Sequence, residues 1–150
     1  MSTSFRLLIP TQILQTILAH ARQELPNECC GLLGGKIDAT GTAVVERYYP
    51  LVNEAASPIR YHCEGRSLFD AHKDMREQGL EHLAVYHSHP TSDPVPSKTD
   101  LAENFVGESV MHLIVSLQSE NPELRGWWLA ESSFREGAWE EMVSDLFSQE

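Results

Sequence analysis

The chain is poor in basic residues. It carries 11 Lys and Arg against 22 Asp and Glu, a formal net charge of −11 over 150 residues. That balance argues against a broad nucleic-acid footprint and against an anionic membrane surface as partner. Long apolar runs are missing too. No stretch approaches a transmembrane span, and residues 1–10 hold too short an apolar run for a signal peptide. Cysteine is scarce. Cys29, Cys30 and Cys63 make an odd set, and two adjacent cysteines bridge each other only under strain. This is no disulfide framework, so a reducing compartment is expected, with the cytoplasm as the location. The glycines form neither GxxxxGK[ST] nor GxGxxG, so Gly34-Gly35 does not read as a phosphate loop. The H-x-E…P-C-x-x-C signature of zinc-dependent nucleobase deaminases is also absent.

What remains is a globular composition, 41% hydrophobic and 22% charged. Residues 1–150 are expected to form one domain with a sizeable core. Phe5 to Ile9 reads as a strand. Thr11 reads as the N-cap of a helix whose apolar face is Ile13, Leu14, Ile17, Leu18 and Ala21, and which Pro26 stops. Cys29 to Gly35 reads as a buried strand, Asp38 to Gly41 as a turn and Thr42 to Leu51 as the next strand. Asn53 to Pro58 reads as a loop, and the alternation of Ile59 to Cys63 suggests a further strand. Ser67 with Asp70 fits an S-x-x-D cap for a helix to Gln78, in which His72 packs half-buried and after which Gly79 takes the C′ position. Val110 to Leu117 and Gly126 to Ala130 read as later strands, and His112 as a structural residue. Trp139, Met142, Val143, Leu146 and Phe147 have helical spacing, yet Gly137 also resembles a hairpin turn. The reading taken is a strand followed by a short tail, with the apolar stripe as core, homodimer contact or partner site. The order of elements gives an α/β fold, a mixed β-sheet flanked by helices.

Tyr86 to Asp100 is the stretch that carries chemistry. The apolar run Leu83-Ala84-Val85-Tyr86 predicts a buried strand that leads into His87-Ser88-His89. Residues i and i+2 of a strand share a face, so His87 and His89 converge while Ser88 faces away. Pro90 ends the strand, and Pro94 and Pro96 stiffen the loop that follows. Asp100 then arrives in the first turn of a short helix. Two imidazoles and a carboxylate make a three-ligand set, and a catalytic zinc site needs three ligands and an open position. The same residues have a plainer account: an HxH on a strand can be two hydrogen-bonded core histidines, and Ser97-Lys98-Thr99-Asp100 is a capping-box pattern. Capping and metal binding can hold together. Hydrolysis at such a site needs a proton acceptor. Glu28 is the candidate because it precedes a buried apolar strand, where a charge is costly. By position alone the plainer account, a solvated loop residue, is the stronger of the two.

His87-Ser88-His89-Pro90, six residues and then Ser97-Lys98-Thr99-Asp100 resemble the signature of the JAMM metalloproteases, also called MPN+ domains. Glu28-Cys29-Cys30-Gly31-Leu32-Leu33 resembles the upstream element of that family. The resemblance covers nearly the whole chain. It implies the deaminase-like α/β sandwich and one Zn2+ per chain, held by His87, His89 and Asp100. It implies that Glu28 holds the attacking water and serves as base and then acid, and that Ser97 donates to the oxyanion. Cys30 matches the family cysteine and is expected to be a small buried residue.

Small prokaryotic members resemble hydrolases of ubiquitin-like sulfur carriers that end in Gly-Gly. The implied partner is such a carrier protein, whose extended tail docks along an exposed strand edge near the site. Two rivals share the fold. RadC proteins typically read His-Asn-His-Pro and carry an extra N-terminal DNA-associated region, whereas this chain has Ser88 and is expected to lack such a region. MPN− scaffolds have lost a ligand, whereas here all the named residues are present.

Overall fold

The computed structural model describes residues 4–143. In chain order it has β1 (Arg6–Pro10), α1 (Thr11–Gln23), β2 (Cys30–Ile37), β3 (Thr42–Leu51), α2 (Gly65–Gln78), β4 (Glu81–His89), α3 (Lys98–Ala102), β5 (Met111–Ser116), β6 (Glu123–Leu129), β7 (Phe134–Gly137) and β8 (Trp139–Met142). The strands form one mixed sheet in the order β7-β6-β5-β4-β2-β3-β1-β8. This is the α/β class expected. Among the described residues, no helix is long and apolar enough to cross a membrane.

The strand alternation divides the core in two. Leu33, Ala84, Tyr86, Leu113, Val115 and Trp128 pack on one face with Ile17 and Ala21 of α1. Cys30, Leu32 and Val85 pack on the other with Ala71 and Met75 of α2. Farther along that second face, Ile114, Trp127 and Leu129 meet Leu101 of α3. The central strands are buried on both sides, which is why β4 and β5 read as nearly continuous apolar runs.

The two ends of the strand order meet. β7 pairs antiparallel with β6, and only Ala138 separates it from β8, which pairs parallel with β1. The Leu7 amide donates to the Ala138 carbonyl at 3.0 Å. Phe5 meets Trp128 edge-on, with ring centroids 4.9 Å apart. The sheet is therefore curled, and Gly137 lies in a ribbon that passes from one edge to the other, where the sequence suggested a hairpin turn. The helical stripe is not seen at Trp139 and Met142, which are strand, nor at Val143, which is exposed and outside any helix; Leu146 and Phe147 lie outside the described residues.

Other local expectations need correcting. Thr11 is the first helical residue and caps nothing; its hydroxyl is taken by Glu141 Oε2 at 2.6 Å. Ser67 lies inside α2, where its hydroxyl donates to the Glu64 carbonyl and accepts from the Val52 amide. Gly79 does end α2 in the left-handed conformation, with φ 68°. His72 is exposed and meets the His82 ring edge-on. Ile59 to Cys63 is no strand: only an isolated Asn53–Cys63 bridge forms there. The strand bearing the histidine pair has β2 on one side and β5 on the other, so no free sheet edge borders it.

Close backbone approach fixes β2. The register to β3 shifts at Gly34/Gly35, and a Cβ on Gly35 would stand 2.0 Å from the Val44 carbonyl oxygen. Backbone cannot yield as a flexible side chain can. Gly35→Ala is expected to cost about 1–3 kcal/mol in urea denaturation, the range for overpacking. A loss below about 0.5 kcal/mol would show that the strand pair opens freely at this bulge.

Candidate metal centre

The site lies where β4 ends. Strand alternation places His87 and His89 on the face of Cys30 and Val85, and Ser88 on the other, where its hydroxyl accepts from the Cys29 amide at 2.8 Å. α3 brings the carboxylate. Ser97 caps this helix: its Oγ accepts from the Asp100 amide at 3.0 Å, and Asp100 Oδ2 accepts from the Ser97 amide at 2.9 Å. The capping reading of Ser97-Lys98-Thr99-Asp100 holds, and the same box aims Asp100 at the two histidines. Three side chains meet at one point: His87 Nε2 and His89 Nε2 are 3.2 Å apart, and Asp100 Oδ2 lies 3.3 Å from the first and 3.1 Å from the second. All are buried, at 0%, 4% and 6% exposure for His87, His89 and Asp100.

The donor set fits a zinc ion. His89 Nδ1 lies 2.7 Å from the Asp93 carbonyl oxygen. A carbonyl only accepts, so that nitrogen carries the proton and Nε2 of the neutral ring presents a lone pair. A tetrahedral zinc with ligands near 2.0–2.1 Å has ligand-to-ligand edges of about 3.3 Å. The three observed edges match that length.

Charge adds to the argument. Burial disfavours ionised Asp100, but His87, His89 and the Ser97 amide more than reverse this and hold it well below the usual carboxylate range. Burial likewise opposes protonation of His89, yet Asp100 and the Asp93 carbonyl raise its pKa above the ordinary value. The cluster favours positive charge at its centre, whether as a proton or as a metal ion.

Glu28 reaches the same place from β2. Cys30 is the ladder partner of His87, and the Ser88 amide donates to the Cys29 carbonyl. One residue further, Glu28 stands level with His89 and returns to the site face. It is 2% exposed, and its Oε1 has no partner. Burial pushes its pKa up to about 8, with His89 opposing and Asp100 adding to the rise.

Several supporting residues escaped the sequence reading. Asn53 Nδ2 donates to the Glu28 carbonyl at 3.0 Å and the Arg60 carbonyl at 3.2 Å, while its Oδ1 accepts from the Ala55 and His62 amides. The Glu28 amide donates to the Ser57 carbonyl at 2.8 Å. Tyr61 stacks on His87, with centroids 4.6 Å apart and planes 26° apart. In the proline loop, three successive carbonyls are each claimed by a side chain: Ser92 by the Ser116 hydroxyl, Asp93 by His89 and Pro94 by the Trp127 indole. An Asn after a strand and a Trp near a Pro-rich loop carry no distinctive spacing. The only available signal was that a loop with three prolines leaves carbonyls to be satisfied from outside.

Residues 10–130 match the family model described as prokaryotic homologs of the JAB domain. The chain belongs to that family. The solution structure of a Desulfitobacterium hafniense protein superposes on this JAB domain with a TM-score of 0.83 and 34% identity, covering 96% of this chain and 98% of the other. The CysO-cysteine peptidase of Mycobacterium tuberculosis is 26% identical over 134 residues, 89% of this chain and 90% of the relative. The desampylase of Haloferax volcanii is 37% identical over 103 residues, 65% of this chain and 72% of the relative.

The Glu28 shift has a consequence for the metal-free JAB domain. Its folded pKa lies above the ordinary glutamate value, so folding favours the protonated form. The stability it contributes is complete below about pH 4.5 and is lost as pH rises through about 8. The metal-free protein should lose about 2–5 kcal/mol between pH 5 and 9 through this group. Glu28→Gln should flatten that loss in chelator-treated protein melted across the range. Parallel curves for both proteins would place the cost on another group.

Proposed function

We propose that this chain is a zinc-dependent peptidase that hydrolyses the amide bond after the C-terminal Gly-Gly of a ubiquitin-like or sulfur-carrier protein. The observation that carries the reading is the convergence of His87, His89 and Asp100 at 3.1–3.3 Å beside a buried Glu28 carboxylate whose Oε1 has no partner. Family membership supports the reaction class, and the names of two relatives, CysO-cysteine peptidase and desampylase, support the class of substrate. The same reading takes residues 1–150 as one domain working in the cytoplasm.

In this reading His87, His89 and Asp100 hold the ion. When bound, zinc supplies a Lewis acid and lowers the pKa of water to about 7. Glu28 is the proton carrier. Its carboxylate takes a proton from the attacking water and returns it to the leaving nitrogen, and the positive charge of a bound ion beside it would favour the ionised form that accepts that proton. Ser97 stabilises the oxyanion. Its oxygen already accepts from the Asp100 amide, so the hydroxyl proton is left to donate toward developing negative charge. The Asn53 and Ser57 contacts hold both backbone groups of Glu28, and so hold its side chain in place.

Purified protein should contain one zinc per chain by elemental analysis, and His89→Ala should lose it. Protein without zinc, unchanged by that substitution, would leave a scaffold in place of an enzyme. Glu28→Ala should keep zinc but slow cleavage of a carrier–Gly-Gly–amine adduct by at least about 10²–10⁴-fold. Unchanged turnover would assign the base elsewhere.

A further inference from the structure

Cys30 and Cys63 are 33 residues apart in the chain, yet their sulfurs lie 3.7 Å apart. Both are free thiols in the same apolar cluster, on the sheet face that carries the histidines. Cys30 sits in the central ladder opposite His87. Cys63 ends the irregular segment that follows β3, held there by its isolated bridge to Asn53. Cys29 points the other way, into the core on the face covered by α1, and has no route to Cys63.

We propose that Cys30 and Cys63 form a redox-sensitive pair that a hydroperoxide converts into a disulfide, tying the segment 53–63 to β2 beside the metal centre. Cys63 is the entry point, because it is 9% exposed whereas Cys30 is 0% exposed. Its thiolate attacks the terminal oxygen of the hydroperoxide and the O–O bond breaks. The remaining oxygen leaves as hydroxide or alkoxide, and Cys63 becomes a sulfenic acid. The Cys30 sulfur then attacks the Cys63 sulfur, the S–O bond breaks, and the oxygen departs as water with the Cys30 proton. Two thiols are oxidised and one hydroperoxide is reduced. Cys30 is fixed by ladder bonds on both sides, so the closing movement falls on Cys63, which lies outside the sheet and is joined to Asn53 by an isolated bridge.

The tether acts on residues already described. Asn53 and Ser57 hold the Glu28 backbone, and Tyr61 stacks on His87. All three belong to the segment that the disulfide would lock down. The pair remains dithiol in a reducing compartment and responds when peroxide rises.

The test uses the full chain, with hydrogen peroxide followed by alkylation and non-reducing peptide mapping. A Cys30–Cys63 crosslinked peptide is expected, with alkylatable thiols falling from three to one and returning with dithiothreitol. Closing this loop should raise the melting temperature by about 5–10 °C. Cys29→Ser should keep the crosslink and the shift, whereas Cys63→Ser and Cys30→Ser should each lose both. Three surviving thiols, a disulfide through Cys29, crosslinks between chains, or sulfinic acid at Cys63 without a crosslink would overturn the pairing. A crosslink with no thermal shift would overturn the tether. None of these readouts depends on zinc or on peptide cleavage, so this inference and the proposed activity fail separately.

Discussion

Three electron-pair donors face one another across 3.1–3.3 Å inside the protein, and the rest of the site exists to keep them there. Two imidazole nitrogens and a carboxylate oxygen at that spacing repel unless positive charge lies among them. A chain free to relax would turn them apart, so each is held from behind. Asp100 is aimed by the cap of its own helix. His89 is anchored through its far nitrogen to the Asp93 carbonyl. His87 lies under the ring of Tyr61. Their restraints come from three different parts of the chain, and this distributes the cost of crowding like groups in a medium of low polarity.

The same logic explains why the site stands on central strands. β4 is bonded on both sides along its length, and such a strand cannot twist its side chains out of register. The proline loop would be the weak link between β4 and α3. Its carbonyls are instead claimed one after another by Ser116, His89 and Trp127, so that the loop is tied to three strands at once. Rigid supports of this kind keep ligand geometry without help from the ligand itself.

What could be read from the sequence followed the range of each interaction. The histidine pair was legible because a period of two on a strand is a local rule, and the helix of Asp100 because a capping box spans four residues. Glu28 was legible as a charge misplaced before an apolar strand and through the resemblance of the element Glu28-Cys29-Cys30-Gly31-Leu32-Leu33. Asn53, Ser57, Tyr61, Ser116 and Trp127 were not, because they act through backbone groups or ring faces of residues far along the chain, and no spacing marks them. Thr11 and Ser67 have capping chemistry, but long-range partners took their hydroxyls. Ile59 to Cys63 alternates like a strand, yet its backbone groups are spent on the side chain of Asn53. The last two strands were ambiguous because their pairing rests on β6 and β1, and β1 lies some 130 residues upstream.

That closure of the sheet has a bearing on how the protein assembles itself. β1 is made first, yet one of its two neighbours, β8, comes at the far end of the described chain. Until residues near Ala138 are available, Leu7 lacks its partner and Phe5 has no Trp128 to rest on. The β2–β3 hairpin and its pairing with β4 can form early, because those segments are near neighbours in sequence. Joining the two ends must wait, and contacts of such separation slow folding. During synthesis the strands that carry the histidine pair and its neighbours can therefore be in place before the sheet is sealed, and the closing step is the pairing of β1 with β8.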